Sequence, residues 1–242
     1  MKKLNKIILA IGIISCLSAC KKTEQNGPAA SGVINVTNAV IGGSTITMTT
    51  TNSIISTNNT VGNNASAFFP LISSNVPINL GVPGVAATLT SAAIPAITYY
   101  SQNLTVDNRS NYSLFLTGTS SSAIDNVLIK ETYPQAYADS VCGVRFINLS
   151  PASNPISVNI LGSPNGSEAS SLSYKSYGNF KQYPAKAVNK TILFEIRDAA
   201  TGVLLYPTNG SGYSINVPYF HNVTLAYRGT GSGVGIIINK DY

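Results

Sequence analysis

The chain has 242 residues, of which 44% are hydrophobic and only 10% are charged, and its formal net charge is +6 at pH 7. Three lysines, Lys2, Lys3 and Lys6, lie at the N-terminus, so the remaining chain is nearly neutral. Because affinity for nucleic acid depends on clustered Lys and Arg, this composition argues against a nucleic-acid partner. One histidine and three cysteines are too few for a zinc centre, and the sequence predicts no metal or cofactor.

Residues 1–19 have the pattern of a secretory signal peptide. The apolar run over residues 7–14 is too short to span a bilayer, which requires about 20 apolar residues. It is followed by Leu17-Ser18-Ala19-Cys20, which resembles the lipobox of bacterial lipoproteins. The resemblance implies that the signal is removed before Cys20 and that Cys20 carries the lipid of a membrane anchor. The alternative is an ordinary secretory signal that is cut after Ala19.

The lipoprotein resemblance also implies a location. No Asp follows Cys20, and this favours the outer membrane of a Gram-negative bacterium, with the protein at the cell surface or facing the periplasm. Residues 20–31 lack apolar periodicity and contain Gly27 and Pro28, which predicts a flexible tether after the lipid. Since Cys16 leaves with the signal, Cys142 is the one cysteine of the body and an internal disulfide is excluded.

The rest of the chain divides into two similar halves, predicted as domains over residues 32–133 and 141–242 with a linker over 134–140. Residues 112–119 (YSLFLTGT) correspond to 223–230 (VTLAYRGT), and residues 127–133 (VLIKETY) correspond to 236–242 (IIINKDY). A repeat of about 110 residues with both ends in register predicts a duplicated domain.

Short strands separated by turn residues are predicted in both halves. In the first, Ile46 and Met48 alternate with threonines, whereas the polar residues 49–67 predict a long loop or an exposed hairpin. In the second, Ile192, Phe194 and Ile196 are expected to face a core. The predicted strands of the second half are 144–149, 156–161, 191–197, 213–217, 223–228 and 235–239. The pattern predicts an all-β fold with two tandem β-sandwich domains of immunoglobulin or transthyretin type.

The second half resembles a secreted bacterial family known as domain of unknown function 4397. The similar residues are 144–151 (VRFINLSP), 156–159 (ISVN) and the stretch from Leu172 to Tyr183-Pro184-Ala185. The chain departs from the family pattern at Asn159, where an aromatic is usual, and at Lys186, where Gly is common. The resemblance implies a β-sandwich in the cell envelope, and it brings no enzymatic activity and no assigned binding residues.

Two segments are candidate sites. Residues 174–183 (YKSYGNFKQY) interleave two lysines with four aromatic residues, Tyr174, Tyr177, Phe180 and Tyr183. These aromatics predict either a stacking surface for a sugar or peptide, or the cover of a sandwich edge, and the family pattern favours the cover. Ser140, within Asp139-Ser140-Val141, resembles an O-glycosylation motif of exported bacterial proteins.

The sequence therefore predicts a non-catalytic, lipid-anchored envelope protein that binds a glycan or protein partner or has a structural role. The first alternative is a fimbrial or surface-adhesion subunit, which would assemble by strand addition. The second is a glycan-active enzyme that uses a pair of carboxylates, with Glu195 as one candidate. The acidic residues are scattered, and the lone His221 has no acid or nucleophile beside it, so the sequence argues against catalysis.

Overall fold

The computed structural model describes residues 32–50, 59–72, 74–121, 123–132, 141–185, 191–216, 221–229 and 235–241. The predicted signal peptide and tether, with Cys20, and the predicted linker, with Ser140, lie outside the described residues. The described parts of the chain form β-strands, and no helix among them is long and apolar enough to cross a membrane.

The first half forms a sandwich of two four-stranded sheets. Its strands are β1 (Gly32–Asn38), β2 (Ile46–Thr49), β3 (Thr60–Val61), β4 (Ala65–Leu71), β5 (Asn75–Val82), β6 (Ile97–Thr105), β7 (Asn111–Gly118) and β8 (Ile124–Lys130). One sheet has the order β4-β1-β7-β8 and the other the order β3-β2-β5-β6. Ile34 and Leu114 from the first sheet pack with Ile46 and Ile78 from the second in one buried core.

The second half forms another sandwich with its own core. Its strands are β9 (Val141–Asn148), β10 (Ile156–Ile160), β11 (Ala169–Leu172), β12 (Lys181–Pro184), β13 (Thr191–Asp198), β14 (Leu204–Tyr206), β15 (Tyr213–Asn216), β16 (Asn222–Arg228) and β17 (Gly235–Asp241). The sheet β12-β9-β16-β17 faces the sheet β11-β10-β13-β14, in which β15 also pairs with β13. Val144 and Leu225 pack there with Ile156 and Phe194.

The two sandwiches repeat one topology. In both, the first strand lies in the middle of its sheet and pairs in parallel with the strand before the last, β1 with β7 and β9 with β16. Asn38 and Asn148 end the two first strands in the same way, since each side-chain oxygen accepts a hydrogen bond from the backbone N–H two residues further on. Gly118, the last residue of β7, and Gly229, the residue after β16, are at equivalent positions and have φ values of 93° and 92°.

The strand register corrects one detail of the sequence alignment. Tyr112 lies opposite Lys130 in the first half, and Val223 lies opposite Lys240 in the second. Lys130 is therefore equivalent to Lys240, whereas the aligned sequences had placed it with Asn239. In the structure the connection between the last two strands is one residue shorter in the second half, whereas the aligned sequences imply that it is two residues shorter.

The prediction of an all-β fold built from sandwiches is confirmed, and the six strands predicted for the second half are present. The prediction of a loop or exposed hairpin over residues 49–67 is wrong from residue 60 onwards. There Thr60–Val61 forms β3 beside β2, with Val61 buried, and Ala65–Leu71 forms β4 along the whole of β1. Residues 51–58 lie outside the described part of the chain.

The two sandwiches pack against each other through the outer faces of their β1- and β9-containing sheets. Thr117 Oγ1 donates a hydrogen bond of 2.6 Å across this interface to the carbonyl of Leu149. A third apolar cluster fills the contact and is made of Ala39, Phe115, Ile129, Ile147, Leu149, Ala226 and Ile237. Because residues of both sandwiches form this cluster, separating the sandwiches would expose its apolar side chains to water.

Buried polar groups cross the same interface. Asn239 of β17 donates from Nδ2 to the hydroxyl of Thr37 at 3.1 Å. Asn35 donates from Nδ2 to the side-chain oxygen of Asn239 and, at 3.4 Å, to the carbonyl of Lys240. These directional contacts fix how β17 lies across β1, which apolar packing alone does not specify.

We predict that Phe115→Ala destabilises the whole chain, because Phe115 is fully buried between the sandwiches. The expected loss is about 3–5 kcal/mol in the free energy of unfolding, measured by urea denaturation. The matched control is Phe68→Ala, since Phe68 is 41% exposed, and its expected change is within about 0.5 kcal/mol. Equal effects of the two variants would contradict a buried interface at Phe115.

Candidate binding cleft between the two sandwiches

A cleft opens where the end of β8 meets β9 and the segment that follows β11. Its volume is about 400 Å³, which lies within the range of small-molecule sites. Both sandwiches line it, and the lining residues are Ile129, Lys130, Glu131, Thr132, Arg145, Tyr177, Gly178, Asn179 and Phe180. The cleft therefore exists only where the two sandwiches are packed together.

The floor of the cleft is an ion pair between the two sandwiches. Val144 and Phe146 of β9 point into the core of the second sandwich, so the side chain of Arg145 between them points outward to the first. Its Nη1 and Nη2 donate to the two carboxylate oxygens of Glu131 at 2.9 and 2.7 Å. The side chain of Arg145 is 4% exposed and that of Glu131 is 1% exposed.

Arg145 is held from a third side by β16. Its Nε and Nη2 donate to the hydroxyl of Thr224 at 3.1 and 2.9 Å. The bidentate pair and this second acceptor satisfy the guanidinium in the plane of its donors. A buried Arg whose donors are engaged in this way is a fixed part of the wall rather than an open anion site.

Two aromatic rings cover the guanidinium. The centroid of the Phe180 ring lies 4.4 Å from Cζ of Arg145, and that of Tyr177 lies 5.6 Å from the same atom. Both distances are within the range of cation–π contacts. Phe180 is half-buried, whereas Tyr177 is 45% exposed. The cleft thus presents an exposed tyrosine ring beside a buried pair of charges.

The backbone of this aromatic segment is tied to the edge of β9. Lys175 N donates to the carbonyl of Asn148 at 2.8 Å, and Asn148 N donates to the carbonyl of Ser176 at 3.0 Å. Gly178 N donates to the carbonyl of Phe146 at 3.0 Å. These bonds continue the edge of the sheet beyond β12, so the backbone at Tyr177 is held against β9 by hydrogen bonds on both sides of this residue.

The structure divides the four aromatics that the sequence singled out. Tyr177 and Phe180 line the cleft. Tyr183 lies in the core of the second sandwich, where burial and its hydrogen bond to Glu168 raise the pKa of its hydroxyl. Tyr174 is half-buried, with the ammonium of Lys175 5.8 Å from its ring centroid. The segment therefore both covers the sandwich and contributes two rings to the cleft.

A second ion pair joins the sandwiches outside the cleft. Lys175 Nζ lies 2.8 Å from Oδ2 of Asp125, and both side chains are 40% exposed. Partial burial acts to raise the pKa of Asp125, but the hydrogen bond and charge of Lys175 bring it below its ordinary value. The same hydrogen bond raises the pKa of Lys175.

Sequence reasoning did not single out Arg145 and Glu131. The only signal at Arg145 is a cation placed between Val144 and Phe146 in a strand that is otherwise apolar. Such a residue, on a strand with buried neighbours, indicates that the outer face of the sheet is covered as well. Glu131 lies at the end of a strand and carries no comparable signal.

The other acidic side chains described in the structure also have partners. These contacts are Asp107 with Lys130, Glu168 with Tyr183 and Lys181, Glu195 with Arg197, and Asp198 with Asn154 and Thr201. Within the described residues no group of three His, Cys, Asp or Glu could hold a metal ion. His221 is exposed just before β16. The described carboxylates thus serve as ion-pair partners and turn caps.

No family model and no curated protein matches the chain. Among solved structures, it is similar to a family 26 carbohydrate-binding module from Eubacterium rectale that was crystallised in complex with maltoheptaose. That likeness covers 88% of this chain and 97% of the other, with 12% sequence identity and a TM-score of 0.27. A TM-score of this size carries no argument about the site, whose chemistry is taken from its own geometry.

We predict that Glu131→Gln strongly destabilises the protein, because it leaves the charge of Arg145 buried without its counter-ion. The expected loss is about 3–5 kcal/mol in the free energy of unfolding, measured by urea denaturation at pH 7. The control is Asp125→Asn in the exposed pair, for which at most about 1 kcal/mol is expected. Similar losses in the two variants would contradict the distinct roles of the pairs.

The exposed pair also predicts a pH dependence. Because the pKa of Asp125 is lower in the folded chain than in the unfolded one, the pair stabilises the fold above the unfolded value of about 4. This contribution is lost as the pH falls through the folded pKa. The stability difference between the wild type and Asp125→Asn should therefore be constant from pH 7 to about pH 5 and then vanish in stronger acid. A difference that persists there would contradict the assignment.

Proposed function

We propose that the protein is a non-catalytic binding module, held at the outer membrane by lipid on Cys20, and that the cleft between its sandwiches is the binding site. The observation that carries this proposal is Tyr177, a half-exposed ring on a supported backbone at the mouth of the cleft. An exposed aromatic side chain in a concave site offers a ligand a large contact area, and it loses little side-chain entropy when the ligand binds.

The chemistry of the cleft favours an uncharged ligand. The positive charge of Arg145 is neutralised by Glu131, and Lys130 pairs with Asp107 outside the floor. What remains for a ligand is the face of Tyr177 and the polar groups of Asn179 and Thr132 at the rim. A ring of this kind stacks on the apolar face of a sugar while amide and hydroxyl groups bond to its hydroxyls. A neutral glycan is therefore the ligand class that we propose.

Two features support a non-catalytic role. The described carboxylates, Glu195 included, are engaged in ion pairs or turn caps. His221, the chain's lone histidine, is exposed before β16 and does not line the cleft. Binding without turnover needs neither group, whereas general acid–base catalysis would need a group free to exchange a proton with the ligand, and the carboxylate in the cleft, Glu131, is engaged by Arg145.

The fimbrial alternative is less well supported, because it requires a strand to be exchanged between copies. The first described strand, β1, lies between β4 and β7 in the middle of its sheet. The last described strand, β17, contributes Ile237 and Asn239 to the interface between the sandwiches. Removing either strand would open a core as well as a sheet edge.

The cleft is tested by glycan-array screening of the mature chain, followed by calorimetric titration of each neutral oligosaccharide that binds. Tyr177→Ala should weaken binding by about tenfold or more, because it removes the stacking ring. Phe68→Ala is the matched control, since it removes an exposed aromatic that does not line the cleft. Binding that is unaffected by Tyr177→Ala, or no neutral glycan bound at all, would contradict the proposed site.

The anchor is tested by metabolic labelling with radioactive palmitate. The wild type should incorporate the label and fractionate with membranes, and Cys20→Ala should do neither. Cys16→Ala is the control, because this residue is expected to leave with the signal peptide and its loss should change nothing. Label that persists in Cys20→Ala would contradict lipidation at this position. Protease added to intact cells then distinguishes the cell surface from the periplasm, where the protein is protected until the outer membrane is opened.

A further inference from the structure

A hairpin of the first sandwich extends beyond its sheet. Strands β5 and β6 end their regular pairing at Val82 and Ile97, and the chain between them continues as a two-armed extension in which Val85 pairs with Ile94. Residues 83–98 are all exposed. More than half of the surface is exposed on the large apolar side chains Val85, Leu89, Ile94 and Ile97. Leu89, near the tip, is fully exposed.

The hairpin lies in a stretch of sequence without charge. From Gln25 to Val106 the chain contains no Asp, Glu, Lys, Arg or His. Soluble proteins ordinarily surround exposed apolar side chains with charged residues, which keep the surface in water. The tip itself (residues 88–91, TLTS) bears one apolar side chain, Leu89, among hydroxyl residues. Exposed apolar side chains on both arms and at the tip, with no charge among them, are the composition of a surface that is covered by something apolar.

A few hydrogen bonds join the two arms of the hairpin. Val85 N and Ile94 N each donate to the other's carbonyl, at 2.8 and 2.9 Å. At the turn, Thr88 N donates to the carbonyl of Ser91 at 2.9 Å, and Ser91 N donates to the hydroxyl of Thr88 at 3.1 Å. Because these bonds join the arms at two points only, the hairpin suits the interfacial layer of a bilayer, where water and headgroups can bond to its other backbone groups, rather than the hydrocarbon centre.

The prolines of the hairpin bear on what covers it. Pro83 and Pro95 lie one on each arm and carry no N–H, so neither arm offers a continuous edge for pairing with another strand. The extension also has none of the aromatic and Arg side chains that dominate the centres of protein interfaces. Its Val, Leu, Ile and Ala side chains instead match the acyl region of a lipid bilayer.

We propose that this hairpin is a membrane-contact element whose tip, centred on Leu89, dips into the apolar part of a lipid bilayer surface. Its insertion depends on apolar burial and not on attraction to anionic headgroups, because the hairpin carries no charge. The insertion is shallow, since only the tip and the adjoining parts of both arms are free of the sandwich.

The length of chain before the first strand permits this contact. The segment from Cys20 to Gly32 reaches about 40 Å when extended, at roughly 3.3–3.6 Å per residue. Gly32 lies beside Val106, at the end of β6 far from the hairpin. Strand β6 spans about 30 Å, so a sandwich lying along the membrane brings the anchored end and the hairpin to one surface. This step alone rests on the proposed anchor, and the test below therefore uses unlipidated protein.

The test is flotation of the chain from residue 20 onwards, with Cys20→Ser, on vesicles of phosphatidylethanolamine and phosphatidylglycerol. This chain contains every described strand and both cores. We expect it to float with the vesicles, and Leu89→Asp to reduce the bound fraction about tenfold or more. The control is Val203→Asp, an exposed apolar residue of the second sandwich, which should bind as the parent does.

Two further measurements, the salt dependence of binding and the fluorescence of a dye at residue 89, test whether the hairpin itself enters the apolar region. Binding should survive an increase of about tenfold in salt concentration, because screening affects charges and not apolar burial. An environment-sensitive dye on Leu89→Cys should shift to the blue on vesicles. The label goes to this site alone, since Cys142 is buried and burial raises the pKa of its thiol to about 12.

Three outcomes would overturn the proposal. They are equal flotation of Leu89→Asp and the parent, binding that disappears with salt, and a dye that shows no shift on vesicles. A chain that dimerises without vesicles, and becomes monomeric with Leu89→Asp, would assign the hairpin to a second copy instead. Glycan binding by Tyr177 is unaffected by all of these results, so failure of the hairpin and failure of the cleft are distinguished.

Discussion

Burial of both faces of two sheets is the constraint on which the rest of the molecule depends. The sheets β4-β1-β7-β8 and β12-β9-β16-β17 each cover a sandwich core with one face and the other sandwich with the opposite face. Their central pairs, β1 with β7 and β9 with β16, are parallel. Parallel pairs occur where helices or other layers exclude water from both faces, and here the second sandwich takes the place of such a layer. The duplicated topology thus makes each half the cover of the other.

The duplicated positions have diverged where the interface needs two unlike surfaces. The strand registers make Asn35 equivalent to Arg145, and Phe115 equivalent to Ala226. At the second pair, Phe115 and Ala226 both belong to the interface cluster, so one face contributes a large side chain where the other contributes a small one. At the first pair, Asn35 bonds to β17 while Arg145 bonds to Glu131 beyond β8. The buried charges of Arg145 and Glu131 determine how the two sandwiches are oriented more than they add to the net free energy of unfolding, since their desolvation offsets much of their attraction.

Local patterns in the sequence were sufficient for the fold class and for six of the nine described strands of the second half, whereas the short strands β11, β12 and β14 were not predicted. Ile192, Phe194 and Ile196 occupy alternate positions of β13 and do face the core, as their spacing predicted. The alternation rule does not apply to β7, β9 and β16, which are buried on both faces; β9 and β16 were predicted as strands, but their second covered face was not. The rule fails for β3, two residues long, because its place is set by pairing with β2 and not by its own composition.

The cleft could not be predicted, for a related reason. Tyr177 and Phe180 were visible as aromatics, but whether they cover a core or line a site depends on what lies opposite them. That partner is the end of β8, in the other half of the chain, and no local pattern encodes the docking of two domains. The segment 174–183 has both of the predicted roles, since Tyr183 packs in the core while Tyr177 lies at the mouth of the cleft.

The cleft and the hairpin at residues 82–97 differ in how the fold constrains them. Both walls of the cleft belong to the interface between the sandwiches, so a change at Arg145 or Glu131 alters the packing of the whole chain. The hairpin projects from a sheet that takes no part in that interface, and its exposed side chains contribute to none of the three cores. The stability of the fold therefore does not depend on these exposed side chains. It does not explain why they are apolar and uncharged. That composition is better explained by contact with something outside the chain.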